Sequence, residues 1–428
     1  MNISHLGHTR RAYWAGLATL LAAFGATIGL AQRTDVFVAS RDDAAIQYST
    51  APTTDRAALL NRKLASGATR LMFDGPTGYL KSALTALGVP VDSQVVLFSQ
   101  NSSQGDIISM KNPRALYFDD SMAVGYVRGG KVLEFAALDP RQGVIFYTLP
   151  QTPVDQPRLT RDNDCLACHL TWTTLGVPGF FVFSMQTLPA DKYAYASGFA
   201  TDHRTSFNER WGGWYVTGSL GSIRHIGNKP ISTASTVEAV KAEVHELKSL
   251  DGQFDTKGYL TPHSDVAALL VLEHQTNMTN LITRLDWEAR LAAGEGKPPD
   301  NPRVQGAAGD LADYMLFTYE VPLPDKVRGS TAFATTFAAR GPADSKGRSL
   351  RQLDLDHRLM KYPCSYMIYS DAFAALPDTA KNLVYRRLWQ VLSGQDKNAR
   401  YASLSAVDRQ AILEILRETK KDLPASFR

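Results

Sequence analysis

The stretch that most constrains this chain is Cys165-Leu166-Ala167-Cys168-His169. A C-x-x-C-H run is the attachment signature of a c-type haem. Two thiols separated by two residues reach the two vinyl groups of one haem, and each forms a thioether. The imidazole that follows binds the iron from the same side, and histidine is a standard proximal haem ligand. One pentapeptide therefore supplies two covalent anchors, Cys165 and Cys168, and one axial metal ligand, His169.

Other readings of these residues are weaker. A redox dithiol belongs in a cytosolic βαβ setting. A zinc site needs four Cys or His ligands in clustered pairs, and the one remaining cysteine is Cys364. A chance match is disfavoured in a cysteine-poor chain that opens on an export signal.

That signal is residues 1–31. His5, His8, Arg10 and Arg11 give a basic start, and Tyr13 to Leu30 is apolar and small with no charged side chain. Gly29-Leu30-Ala31 before Gln32 fits a small-x-small cleavage site. The segment is either a cleaved signal peptide or an uncleaved anchor in the inner membrane, because the run sits near the lower limit for a span. Both readings place the bulk of the chain in the periplasm or otherwise outside the cytoplasm. Bacteria attach c-type haem on that side of the membrane, so two independent signals agree. With Cys165 and Cys168 on haem, no intramolecular disulfide remains, and Cys364 reads as a buried small hydrophobe. Basic and acidic side chains number 46 and 42, for a net charge of +4. Nucleic-acid binding would call for a strongly basic patch or stripe, so it is not expected.

The 428 residues suffice for two to three domain-sized units. Residues 32–230 read as a β-rich part that carries the haem run, and residues 231–428 as a mainly helical part. The fold class is α+β. Asp55 to Ala65 and Tyr79 to Leu87 read as helices. Gln94–Ser99, Ala115–Phe118, Ala123–Val127, Lys131–Ala137 and Val144–Leu149 read as strands of an antiparallel meander. Gly129-Gly130 and Asp139-Pro140-Arg141-Gln142-Gly143 supply its turns. Past His169, Gly176, Pro178 and Gly179 forbid a long helix. Phe180–Gln186, Tyr193–Phe199 and Trp211–Gly218 read as strands, with glycines in the last where something bulky, a haem face or a bulge, comes close. Ser235 with Glu238 reads as a capping box for a helix whose face is Val237, Val240, Val244 and Leu247. A long helix is expected over Ser264 to Leu291, with Leu270, His274, Met278, Leu281 and Leu285 as its buried stripe. Ala293–Ala308 reads as a loop, 309–320 as a helix, and Ala339–Arg348 as a loop. Pro377 and Gly394 bracket one late helix and Ser405 caps the last.

The group opposite His169 decides what the iron does. A strong sixth ligand suits electron transfer, and an open position suits small-molecule chemistry. On burial logic His274 is the first choice for a distal ligand, and Met278 one turn later is the second. His203, His225 and Met185 carry weaker signals, and Arg204, Arg210 and Arg224 are candidates to pair the haem propionates.

Several segments together resemble a group of exported, largely uncharacterised bacterial proteins with a single c-type haem, the cytochrome c domain proteins. The likeness lies in Pro113-Arg114-Ala115-Leu116-Tyr117-Phe118-Asp119-Asp120, Val124-Gly125-Tyr126-Val127 and the haem run. It extends to Arg210-Trp211-Gly212-Gly213-Trp214-Tyr215-Val216-Thr217-Gly218, Arg224-His225-Ile226-Gly227-Asn228, Glu273-His274-Gln275-Thr276 and Lys361-Tyr362-Pro363-Cys364-Ser365-Tyr366. It runs from about residue 70 to the C-terminus. It implies haem binding and electron transfer and names no substrate. It differs from the small helical cytochromes c, whose haem run lies near the N-terminus.

The expected function is that of an exported c-type cytochrome with one covalent haem c, passing electrons to a redox partner the sequence does not name. The alternative is a haem redox enzyme of peroxidase-like type, or a haem-based sensor, with an open distal site. No catalytic residue is assigned.

Overall fold

The segments between Val95 and Pro150 fold as the antiparallel meander that their spacing predicts. The structure is a computed structural model and describes residues 40–185, 198–230 and 234–427. The meander strands are β1 (Val95–Leu97), β2 (Arg114–Phe118), β3 (Met122–Val127), β4 (Val132–Asp139) and β5 (Gly143–Pro150). Further on come β6 (Thr160–Arg161), β7 (Val182–Met185), β8 (Gly198–Thr201) and β9 (Trp214–Tyr215). The main sheet has the order β6-β5-β4-β3-β2-β1-β9, and β7 pairs with β8 as a separate hairpin. Gly129, at φ 73°, turns the chain between β3 and β4. The Asp139 carboxylate accepts from the Arg141 and Gln142 nitrogens to close the turn into β5.

Register decides which side chains share a face, since successive residues of a strand point to opposite sides. Phe118, Ala123, Ala136 and Phe146 form one row across the sheet. Leu116, Gly125, Glu134 and Thr148 form the next row on the same face. The opposite face carries Ala115, Tyr117, Val124, Phe135, Ala137, Ile145 and Tyr147, all buried. Helix α1 (Arg56–Ala65) packs against β4. Its N-cap Asp55 accepts a 2.7 Å hydrogen bond from the Tyr147 hydroxyl. Helix α2 (Leu80–Leu87) ends at Gly88, whose left-handed φ of 64° is the expected stop.

Beyond β5 the run of interest forms a single turn, α3 (Leu166–His169). After α4 (Ala234–Ala242) comes the long helix α5 (Val266–Gly294), capped by Asp265, whose carboxylate accepts from the Ala267 and Ala268 nitrogens. Such a cap is worth about 1 kcal/mol. Helix α5 crosses the strands along one end of the sheet. The Asp265 nitrogen donates to the Gln94 carbonyl just before β1. The Gln275 amide donates to the Asp119 carbonyl just after β2, and Thr283 packs at Gly143 where β5 begins. Nearly every side chain from Val266 to Leu285 is buried. This is the pattern of a core helix rather than a surface one. Helices α6 (Pro302–Met315), α7 (Phe333–Ala339), α8 (Asp371–Ala374), α9 (Asp378–Leu392) and α10 (Ala406–Thr419) follow. α6 packs on α5 and α9. Residues 52–428 thus form one compact α+β unit. In the other unit, the described residues are helical at 40–42 and then turns, in which the Ile46 and Gln47 nitrogens donate to the Asp43 carbonyl.

Several expectations are corrected. Residues 302–308 are helical, because Asn301 caps the Arg303 and Val304 nitrogens and Pro302 stands at the first helical position. That position tolerates proline because its missing N–H has no helical partner. Ser235 lies inside α4 and is not its cap. The helix ends before Val244, which is 46% exposed, and the Leu247 carbonyl instead accepts from the Gly218 nitrogen. The strand expected over Trp211–Gly218 is reduced to β9 and to Gly218, which with Ser219 pairs with Arg328–Gly329, because Trp211 (φ 71°) and Gly213 (φ 86°) turn the chain. What approaches Gly212 is the β7 backbone, since a Cβ there would lie 1.8 Å from the Met185 carbonyl oxygen. Most of the expected Tyr193–Phe199 strand lies outside the described residues, as does the 1–31 segment. Among the described residues, no helix is long and apolar enough to cross a membrane.

Candidate functional site

Cys165, Cys168 and His169 sit on the single turn α3, closed by a hydrogen bond from the His169 nitrogen to the Cys165 carbonyl. Leu166 is buried and anchors the turn, while Cys165 is half-buried and Cys168 exposed. Neither thiol is in a disulfide. Burial, with Asp162 and Glu134 nearby, pushes the Cys165 thiol up to about 12. A reactive dithiol needs a lowered thiol pKa, so this environment opposes the dithiol reading. Leu170 ends the turn, and Trp172 just beyond it stands 67% exposed.

Two hydrogen bonds ten residues apart fix the His169 imidazole. The Gly179 nitrogen donates to the His169 carbonyl at 2.9 Å. The His169 Nδ1 lies 2.9 Å from the Gly179 carbonyl oxygen. A carbonyl only accepts, so Nδ1 carries the proton and Nε2 of the neutral ring is bare. The ring rests between Phe146 of β5 and Phe181, at centroid distances of 4.8 and 5.6 Å. Burial among these groups lowers its pKa to about 4. The imidazole is therefore neutral at neutral pH, in one fixed tautomer.

The scaffold behind this clamp is Asn280 of α5. Its amide donates to the Phe180 carbonyl at 3.0 Å and accepts from the Phe180 nitrogen at 3.2 Å. Gly179 lies flat against it, for a Cβ there would fall 2.0 Å from the Asn280 Oδ1. The buried helix thus holds the loop that holds His169. Sequence reasoning passed over Asn280. The one available signal was the Pro178-Gly179 pair, where glycine permits a close backbone approach.

Phe146 also fixes which face of the sheet the run occupies, the one carrying Ala123, Ala136, Gly125 and Glu134. On this face Leu116, Ala123 and Ala136 stay only half-buried although β2, β3 and β4 lie in mid-sheet. Arg114 reaches across Gly125 to Glu134, with Nη2 to Oε2 at 2.6 Å. A Cβ on Gly125 would meet that guanidinium at 2.6 Å. The Ser102 and Ser103 hydroxyls donate to the other Glu134 oxygen at 3.3 and 2.7 Å.

His274 lies on the expected buried stripe, but its neighbours belong to α6 and the segment after it. Its ring stacks on Tyr314 and on Phe317 at centroid distances of 5.3 and 4.2 Å. Its Nδ1 is 3.0 Å from the Nδ1 of His203, and its Nε2 is 2.8 Å from the Ser365 hydroxyl. Both nitrogens are engaged, and the side of α5 that serves His169 is that of Asn280, about 120° round the helix. His274, the expected distal ligand, is in this structure a hydrogen-bonded core histidine. Met278 is fully buried one turn on. The Met185 sulfur takes a hydrogen bond from the Asn101 amide, and the His225 Nδ1 accepts from the Gly227 nitrogen. Arg204 pairs with Asp202 and Arg210 with Glu273, while Arg224 is exposed. Buried Cys364 has its thiol pushed up to about 12.

Among the described residues, no group of three or more His, Cys, Asp or Glu side chains is placed to hold a metal ion. A haem iron does not need such a group, because the porphyrin supplies four of its ligands. Comparison with protein-family models, with curated proteins and with solved structures finds no match to this chain.

Proposed function

We propose that this protein is an exported c-type cytochrome that holds one covalent haem on Cys165 and Cys168, with His169 as an axial ligand, and passes electrons. The observation that carries the reading is the hydrogen bond from His169 Nδ1 to the Gly179 carbonyl. An imidazole whose Nδ1–H is fixed by a carbonyl presents a bare Nε2 lone pair, the arrangement of metal-bound histidines. Two unpaired thiols flank it at the required spacing. The Cys165 and Cys168 thiols would hold the haem by adding S–H across its two vinyl groups, with sulfur on one carbon, hydrogen on the other and no leaving group. The half-open sheet face floored by Leu116, Ala123 and Ala136 suits the apolar part of a macrocycle. When bound, the haem supplies one-electron redox chemistry, and the protein tunes it through ligand, hydrogen bonds and burial. The basic-then-apolar start of the chain supports export, and the resemblance to exported single-haem proteins points the same way.

The second reading, a haem enzyme or sensor with an open distal site, is favoured by one observation. Both nitrogens of His274, the first choice for the sixth position, are already hydrogen-bonded in the core. One experiment addresses both readings: express the full chain with its export segment in a host that matures c-type cytochromes. Haem stain should stay with the wild-type protein on a denaturing gel and vanish in Cys165→Ala/Cys168→Ala. Colourless wild-type protein with both thiols alkylatable rejects covalent haem. Ferrous protein that ignores carbon monoxide favours electron transfer, and ferrous protein that binds it favours the open site.

A further inference from the structure

We infer that the Arg114–Glu134 ion pair, held on the sheet face beside His169, sets the reduction potential of the group tethered there. The inference rests on the haem reading and assigns it two residues that chain spacing does not connect to the run.

Glu134 and Phe146 stand on neighbouring strands and the same face, one row apart, and the His169 ring lies on Phe146. The pair is well sheltered, with 19% and 16% of the two side chains exposed. Charges so placed act through a medium less polarisable than water, so their field on a neighbour exceeds that of surface charges. The local backbone accommodates the pair. Gly125 removes the one side chain that would block the guanidinium, and two serine hydroxyls hold the Glu134 carboxylate in place. Of the arginines considered from sequence, Arg210 is committed to Glu273, Arg204 to Asp202, and Arg224 is exposed. Arg114 reaches, through Glu134, the sheet face on which the His169 ring lies.

The sign follows from charge. Reduction adds one electron to the iron, so a nearby cation favours the reduced form and a nearby anion the oxidised form. Arg114 raises the potential and Glu134 lowers it, and their balance shifts its value. Both are positioning residues acting through space, without touching a reacting atom.

The test is a spectroelectrochemical titration of full-length, haem-loaded protein. Arg114→Gln should lower the midpoint potential and Glu134→Gln should raise it. The double variant should fall between the two, and Arg114→Lys, which keeps the charge, should stay near wild type. A merely structural ion pair would destabilise the fold in both single variants without shifts of opposite sign. Loaded, folded single variants that both keep the wild-type potential overturn the assignment and leave the haem reading intact. Wild-type protein without covalent haem removes both. If Arg114→Gln fails to fold, the Glu134→Gln and Arg114→Lys pair still decides, because only the former should shift.

Discussion

The Nδ1 atoms of His203 and His274 lie 3.0 Å apart in the core, so one proton is shared between two imidazoles. A second proton on that contact would place two donors nose to nose, so the two rings cannot both be charged. Burial holds both rings well below the ordinary histidine pKa, with Arg204 adding to the effect on His203. The far nitrogen of His274 meets Ser365, which also caps the turn Tyr366–Tyr369. His274→Ala should therefore strand two buried polar groups and open a cavity beside Tyr314 and Phe317. The expected cost is about 3–5 kcal/mol, read by urea denaturation. The same change should leave the spectrum of haem-loaded, folded protein as it was. A changed spin state would return His274 to the iron.

Glu320 gives a pH dependence of the opposite kind to a buried histidine. Desolvation raises its carboxyl to about 7, while its carboxylate accepts from the Leu359 nitrogen at 2.8 Å. Between its ordinary pKa and about 7 the folded protein holds a proton that the unfolded chain has lost. This group's stabilisation is full at acid pH and is lost as pH rises through about 7. Glu320→Gln keeps the acceptor for Leu359 and removes the ionisation. It should match wild type near pH 4.5, the ordinary value, and exceed it near pH 8 by at most about 3 kcal/mol. Denaturation midpoints across that range decide the matter, and parallel curves for the two proteins would refute it.

The elements legible in the sequence are those with a local cause. The meander shows as period-two runs broken by Gly129, Pro140 and Gly143. The late helices show through Pro377, Gly394 and Ser405, and the α5 stripe through its three- and four-residue steps. The elements misread have causes elsewhere in the chain. α6 starts at a proline inside a Gly-rich stretch, and what nucleates it is the Asn301 cap together with packing against α5. Trp211–Gly218 has the composition of a strand, yet it bends because β7 needs its carbonyl against Gly212. The site divides in the same way. Cys165, Cys168 and His169 are contiguous and announce themselves. Gly179, Asn280, Arg114 and Glu134 reach the same place from distant segments, and no spacing rule connects them. His274 shows the limit of a stripe argument, which says that a position is buried and not which neighbour it faces.

Arg210 and Glu273 form an ion pair with side-chain exposures of 2% and 0%. The guanidinium also donates to the carbonyls of His203 and Thr205, and the Thr201 hydroxyl donates to the second carboxylate oxygen. The carboxyl is pulled two ways, raised chiefly by desolvation and lowered by Arg210. Removing one partner leaves an uncompensated buried charge, so Arg210→Met should cost about 3–5 kcal/mol. Arg210→Met with Glu273→Leu should cost less than Arg210→Met alone, although it deletes more hydrogen bonds. Thermal melts of the two variants test the ordering. A double variant less stable than the single would mean that the backbone contacts of Arg210, rather than its charge, carry the loss.

Glycines supply the last test, because two kinds occur with opposite expectations. Gly306 and Gly309 lie within α6, and a Cβ at either would meet nothing within 4 Å. Alanine at such helical positions should stabilise by about 1 kcal/mol each, through the lower entropy of the unfolded chain. Gly179 and Gly212 are the reverse, with a Cβ falling 2.0 Å from the Asn280 Oδ1 and 1.8 Å from the Met185 carbonyl oxygen. Alanine at either must move backbone or break the Asn280 clamp, at about 1–3 kcal/mol or more. The two costly variants should also differ from each other. Gly179→Ala disturbs the carbonyl that fixes the His169 tautomer, so it should reduce covalent haem as well as stability. Gly212→Ala, which perturbs the β7 contact, should lower the melting temperature and leave haem attachment near wild type. Equal loss of haem in both at matched stability would show that attachment follows overall fold stability, and would remove the special role given to the Gly179 carbonyl.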